Sequence, residues 1–322
     1  MSRWDDKAAA DSGWFGCETQ TGLLAIVEVP FDATSSHHRV AASAPEAIRA
    51  ASHQVELTLL DGRCPAQAGL VASRLDLKAL NDRAHAAMTE LRAGANEAAK
   101  TVEEAASQAE QALRESLLRH WREQRQTLVI GGDHGSTFAA MDAAKANHPS
   151  LGILQIDAHA DLRADYEGVG CSHASVMHRL KLKHPSLRLV QVGLRDLGQS
   201  EREFIDSDPE IITFFDEALV QQEFLGMPWA EQARAIVESL PEKVWVSFDI
   251  DGLDPSLCPH TGTPVPGGLS YYRAVDLIDR IHSSGRTLVG ADLSEVAGHP
   301  FDALVAARLA YRLLAGLLDS KK

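Results

Sequence analysis

Paired cysteines are the first thing this sequence lacks. Cys17, Cys64, Cys171 and Cys258 are scattered, and no Cys-x-x-Cys pair occurs. Neither a disulfide framework nor a thiolate zinc site is therefore expected. Positive charge is also in deficit: 31 Lys and Arg stand against 45 Asp and Glu, a formal charge of −14. Such an excess of acid disfavours nucleic acid and anionic membranes as partners, and suits cationic ligands or metal ions. No apolar run approaches 18 residues, and the first 13 residues mix charge with alanine instead of building an apolar signal core. A cytoplasmic protein with no membrane span is the expectation. No internal repeat is visible. What remains is ordinary globular composition, 45% hydrophobic and 24% charged over 322 residues, ample for a buried core.

Short apolar, β-branched runs recur along the chain. They are Leu23–Val27, Leu128–Ile130, Leu151–Ile156, Leu187–Val192, Ile211–Phe215, Val244–Ile250 and Leu288–Val289, with a further candidate at Val55–Leu60. Most are continuous instead of alternating, as strands covered on both faces are. Helical stretches separate them: Val102, Ala106, Ala109, Leu113 and Leu117 form one apolar stripe, and Ala303–Leu318 reads as a second apolar helix. Strand–helix alternation predicts a parallel sheet with helices on both faces. The stretch 61–126 is the least strand-like, and its Ala- and Glu-rich pattern predicts two helices joined near Ala93–Asn96. Nothing demands a domain boundary, so residues 1–322 read as one domain.

Four clusters of acids and histidines follow strand-like runs. They are Gly131-Gly132-Asp133-His134, Asp157-Ala158-His159-Ala160-Asp161, Asp249-Ile250-Asp251-Gly252-Leu253-Asp254 and Asp292-Leu293-Ser294-Glu295. Strand C-termini of an open parallel sheet share one edge, so these clusters can converge there. On extended backbone, residues spaced by two point the same way. Asp157, His159 and Asp161 would then form one comb, and Asp249 and Asp251 another. Four carboxylates gathered together repel one another unless a cation sits among them. Neither comb contains Lys or Arg. Carboxylate oxygen and imidazole nitrogen without thiolate suit Mn(II) and similar ions. Six ligands (His134, Asp157, His159, Asp161, Asp249, Asp251) exceed what one open catalytic ion needs, and fit two ions about 3.5–4 Å apart. The paired Gly131 and Gly132 would let backbone approach closely.

These strings, together with Thr261-Gly262-Thr263-Pro264-Val265-Pro266-Gly267-Gly268-Leu269, resemble the ureohydrolase family of arginases and agmatinases. Weaker similarity begins at Val29-Pro30-Phe31-Asp32, includes Pro45–Arg49 and runs to about residue 315. The resemblance implies a three-layer α/β/α fold around an eight-stranded parallel sheet, with two Mn(II) ions per chain. One ion would take His134, Asp157, Asp161 and Asp249, and the other Asp157, His159, Asp249 and Asp251. It further implies hydrolysis of a small cationic guanidino substrate to urea and an amine by a hydroxide bridging the metals. Glu295 would hold the guanidinium, His173 would shuttle protons as general acid, and Thr263 would support the site or the substrate. A homo-oligomer, trimer or hexamer, is the family habit.

The loop after Asp161, Leu162-Arg163-Ala164-Asp165-Tyr166-Glu167-Gly168 followed by Cys171-Ser172-His173-Ala174-Ser175, looks like the agmatinase branch. Agmatine, giving putrescine and urea in a polyamine-forming step, is the favoured substrate. Arg163 cuts the other way, since a free arginine would favour a carboxylate-tailed substrate such as guanidinobutyrate or formiminoglutamate. Its alternative is an ion pair with Asp165, Glu167 or another acid. His260 and His299 depart from the family pattern and either line the pocket or sit on surface loops. Arg39-Val40-Ala41 replaces an Arg-x-Gly pattern. Arginase chemistry, a one-zinc deacetylase of similar fold, and an inactive regulatory homologue are the competing readings.

Overall fold

The computed structural model describes residues 13–35 and 40–319; Arg39 and the extreme N-terminus lie outside the described residues. Eight strands form one sheet: β1 (Leu24–Glu28), β2 (Leu70–Arg74), β3 (Gln126–Ile130), β4 (Leu151–Ile156), β5 (Arg188–Val192), β6 (Ile211–Phe214), β7 (Lys243–Asp249) and β8 (Thr287–Ser294). Their order is β2-β1-β3-β8-β7-β4-β5-β6, with every neighbouring pair parallel. The helices are α1 (Ala44–Ser52), α2 (Lys78–Arg92), α3 (Ala98–Arg122), α4 (Phe138–Asn147), α5 (Val176–Lys183), α6 (Gln199–Ser207), α7 (Asp216–Phe224), α8 (Trp229–Glu238), α9 (Tyr271–Ser283) and α10 (Pro300–Asp319).

Why the strands read as continuous apolar runs is plain from their packing. Ile26, Leu128, Leu154, Val190 and Val246 bury into one core with Ile48 of α1, Ile236 of α8, Ile278 of α9 and Leu313 of α10. Their chain neighbours Val27, Val129, Ile153, Leu189 and Trp245 bury into a second core with Leu113 of α3, Met141 of α4 and Leu180 of α5. Alternate side chains point to opposite faces, and both faces are covered. The result is the three-layer α/β/α arrangement that the resemblance implies. Among the described residues no helix is long and apolar enough to cross a membrane.

Two local expectations fail. Val55–Leu60 is turn, not strand: Leu57 is buried, but Leu60 is 99% exposed. The missing strand is β2, Leu-Val-Ala-Ser-Arg, inside the stretch read as helical. As the sheet's edge it needs little apolar cover, and its burial fades from Leu70 to an exposed Arg74.

The sheet brings β3, β8, β7 and β4 side by side in its centre. Close backbone approach at their ends depends on glycine. A Cβ on Gly132 would lie 2.0 Å from the Phe31 carbonyl oxygen, so the β3 turn can pack against the 30–34 loop only without one. Gly290 of β8 likewise makes room for the Trp245 ring, 2.1 Å from where its Cβ would stand.

Candidate active site

Each acid–histidine cluster leaves the C-terminal end of one of those four central strands. After β3, Asp133 caps the turn 134–137 by accepting from Ser136 N at 2.9 Å. Its other oxygen accepts from the amide and hydroxyl of Thr34 at 2.9 and 2.7 Å. Asp133 is thus spent on architecture, and burial pushes its pKa up to about 6.

His134 faces inward from that turn. Its Nδ1 stands 2.8 Å from Asp161 Oδ2, 3.2 Å from Asp157 Oδ2 and 3.6 Å from Asp249 Oδ2. Its Nε2 lies 2.9 Å from Ser247 Oγ, and that hydroxyl donates to Asp292 Oδ1 at 2.9 Å. Trp245 Nε1 donates to the other Asp292 oxygen at 2.5 Å. With its proton committed to Asp292, Ser247 can only accept from His134. The network therefore assigns the imidazole proton to Nε2. Nδ1 is fully buried and faces the three carboxylate oxygens.

Backbone amides and one side-chain amide orient Asp157, Asp249 and Asp251. Asp157 Oδ1 accepts from His159 N at 2.7 Å, and Gln155 Nε2 holds Oδ2 at 2.8 Å. Asp249 Oδ1 accepts from Asp251 N at 2.9 Å, and Asp251 Oδ1 from Ala158 N at 3.0 Å. His159 Nδ1 stands 3.0 Å from Asp251 Oδ2 and 3.7 Å from Asp157 Oδ1. Two groups of converging ligand atoms result, His134–Asp157–Asp249 and Asp157–His159–Asp251, and they share Asp157.

The convergence is not made by extended combs. Asp251 lies in a 3₁₀ turn (Ile250–Gly252). Asp161 adopts φ 54° and hands its carbonyl to Met177 N and His178 N in the first turn of α5, at 3.1 Å each. A non-glycine residue there carries strain of about 1–3 kcal/mol, a cost that clusters at functional sites. Glu295 does the same at φ 59°.

The electrostatics state one demand in several forms. Burial and the surrounding acids push Asp249 well above the usual carboxylate range. Burial and Asp157 raise Asp161 to about 7. Burial alone would lower both imidazoles, yet the facing carboxylates outweigh it, raising His159 to about 12 and His134 well above its ordinary value. The centre calls for positive charge.

Over this centre opens a cavity of about 150 Å3 lined by the two histidines, Asp161, Asp249 and Asp251 together with Arg163, Tyr166, His173, Asp196, Leu197, Glu201, Thr263 and Glu295. Glu295 Oε1 accepts from His134 N at 2.8 Å, and burial with nearby Asp133 raises its pKa well above normal. His173 hangs from Thr34, whose hydroxyl accepts its amide at 3.0 Å; its ring meets Tyr166 edge-on, and burial lowers its pKa to about 4. Thr263 Oγ1 donates to Asp251 Oδ2 at 3.3 Å.

All ten site residues singled out in the sequence, Arg163 included, line this crevice or face its centre. His260 and His299 do not: they stack on each other at 3.5 Å beside the buried Asp302, outside the cavity. Arg163 pairs with an acid, but with Glu201 at 3.6 Å and not with Asp165 or Glu167. Glu167 is taken by Arg92 at 2.6 Å. Sequence reading missed Asp196, Leu197 and Glu201. The signal was available, since Gly193-Leu194-Arg195-Asp196 directly follows β5, the strand beside β4. It also missed Arg195, which donates to the carbonyls of Asp251, Leu253 and Val265 and so pins the loop that carries Asp251.

Fold and site together define an α/β protein whose chemistry is gathered at the carboxyl edge of a parallel sheet. The profile of the "Arginase family" matches residues 23–318. An N(1)-aminopropylagmatine ureohydrolase of Thermus thermophilus is 32% identical over 294 residues, covering 90% of this chain and 89% of that one. A guanidinobutyrase of Pseudomonas aeruginosa is 34% identical over 203 residues, covering 59% of this chain and 60% of that one. The crystal structure of agmatine ureohydrolase from Thermoplasma volcanium superimposes with a TM-score of 0.70 at 22% identity, covering 92% and 90% of the two chains. The chain belongs to the arginase family, as its motifs suggest.

Proposed function

We propose that this protein hydrolyses a small linear guanidino compound to urea and an amine, with agmatine as the favoured substrate and putrescine as the amine. The observation that supports the reading is the buried His134 Nδ1, which faces three carboxylate oxygens at 2.8–3.6 Å. A divalent cation satisfies all four groups at once. The set holds nitrogen and oxygen but no sulfur, which fits Mn(II). His134, Asp157, Asp161 and Asp249 would hold one ion, and Asp157, His159, Asp249 and Asp251 a second. Such ions would supply a water of lowered pKa as the nucleophile.

The chain's own groups supply the rest. Glu295 holds the planar, permanently charged guanidinium by charge-assisted hydrogen bonds. Thr263 fixes Asp251 and borders the bound substrate. His173, neutral in its buried setting, relays a proton to the departing amine, which leaves poorly without one. Its anchorage through Thr34 to Asp133 keeps the ring at the cavity wall. We place the reaction in the cytoplasm and in a homo-oligomer, trimeric or hexameric, by family habit.

A second reading, a guanidino acid as substrate, has one observation in its favour: Arg163 lines the cavity. The test of both is urea release from agmatine, arginine, guanidinobutyrate and guanidinopropionate, and formamide release from formiminoglutamate, after incubation with Mn(II). Turnover of agmatine above the rest is expected. A manganese-loaded protein inert towards the whole panel would end the proposal.

A further inference from the structure

Behind the acid–histidine centre, the sheet carries a row of polar side chains that the mechanism leaves unused. Gln155 of β4 stands in register with Gln191 of β5, and Gln191 with Thr213 of β6, so the three point to one face. Both glutamines are fully buried, which is costly for an amide unless its donors are used. All of them are. Gln155 Nε2 donates to Asp157 Oδ2 at 2.8 Å and to His159 O at 3.2 Å. Gln191 Nε2 donates to Gln155 Oε1 at 2.7 Å and to Ala160 O at 3.0 Å. Thr213 Oγ1 closes the row by donating to Gln191 Oε1 at 2.9 Å. Backbone carbonyls fix the direction of this chain. His159 O and Ala160 O can only accept, so both amides must present nitrogen to the 157–161 loop and turn oxygen towards the sheet edge. Reversing either amide would set oxygen against oxygen at two points.

We propose that Gln191 is a positioning residue for the metal centre: with Gln155 it clamps the 157–161 loop, and Thr213, on the strand at the sheet's edge, sets the direction in which the clamp points. The inference rests on the two-ion reading above and goes beyond its ligands. The loop carries Asp157, His159 and Asp161, three of the six ligand residues, and the glutamines hold it at Asp157, His159 and Ala160. Because each amide orients the next, the links act as a unit. Thr213, two strand spacings or about 10 Å from β4, thereby reaches the centre without touching it.

The experiment titrates manganese into the full, metal-free chain by calorimetry, a readout that needs no turnover. Gln191→Met keeps the length of the side chain but not its amide, and is expected to weaken manganese binding about 10–100-fold. The KM for agmatine stays within about twofold, since Glu295 and the cavity wall are untouched. Thr213→Val, close to isosteric, is expected to weaken binding about threefold to tenfold, the size of one lost hydrogen bond. Thr213→Ser, which restores the hydroxyl, returns it to within about twofold of the wild type. Gln232→Met is the control: Gln232 is 2% exposed on α8, in the opposite helical layer, and donates to Leu219 O at 2.9 Å. That variant loses stability and keeps the wild-type affinity. Unchanged affinity in Gln191→Met overturns the assignment, as does equal weakening in Gln191→Met and Gln232→Met. Where Gln191→Met does not fold, Thr213→Val decides: wild-type affinity there overturns the clamp, and a loss rescued by serine upholds it. Wild-type binding with unaffected variants leaves the two-ion reading standing without the clamp. A wild type that binds no manganese sinks both.

Discussion

Two regions of the molecule use the same residue types and reach opposite ends. At the strand edge, His134 and His159 meet Asp157, Asp161, Asp249 and Asp251, and acids outnumber imidazoles in a largely buried setting. On the surface behind Glu295, His260 and His299 share the single Asp302. There the buried carboxylate is fully used by His260, through its amide at 3.0 Å and its Nδ1 at 2.8 Å. The two rings are stacked within 20° of parallel and exposed to water. This cluster offers one carboxylate to two exposed rings, where the strand edge sets four carboxylates against two imidazoles. Ligand types close in space are therefore not enough. What separates the two clusters is unpaid negative charge in a place that water cannot screen.

The comparison can be broken at several points. Asp251→Asn removes charge from the first cluster and is expected to cut turnover roughly a hundredfold or more, with bound manganese falling from two per chain towards one. Metal analysis alongside kinetics checks it, and full turnover in this variant would refute the two-ion centre. Ser247→Ala leaves His134 Nε2 without its acceptor. A stability loss of about 1–3 kcal/mol in urea titration and a metal affinity weakened about 10–100-fold are expected. Glu295→Gln should raise the KM for the guanidino substrate about tenfold while metal content stays whole; loss of metal instead would make Glu295 structural. The smallest effect belongs to the second cluster. His299→Ala is expected to change stability by less than about 0.5 kcal/mol and turnover by less than about twofold. A larger loss of activity there would erase the distinction.

Most of this site was legible because its residues sit where strands end, and strands covered on both faces announce themselves as apolar runs. The sheet edge at β2 was not legible, because Ser73 and Arg74 need no burial there and the pattern fades into its helical neighbours. The reason offered for convergence was also only partly right. Asp249 ends a strand, but Asp251 and Asp161 are aimed by a tight turn and by a left-handed backbone, and neither can be read from a spacing of two. The outer cavity wall escaped notice because Asp196 and Glu201 stand in a segment with no histidine to draw the eye.

The last strand of the sheet is not at its edge. β8 enters between β3 and β7, joining a leaf made of β1 to β3 with a leaf made of β4 to β7. A growing polypeptide that has not yet released this strand can form both leaves, but His134 stays on one and the acids of β4 and β7 stay on the other. The residues of the centre thus lie on two leaves that only the C-terminal strand joins, and a fragment ending before Thr287 is expected to lack an assembled centre.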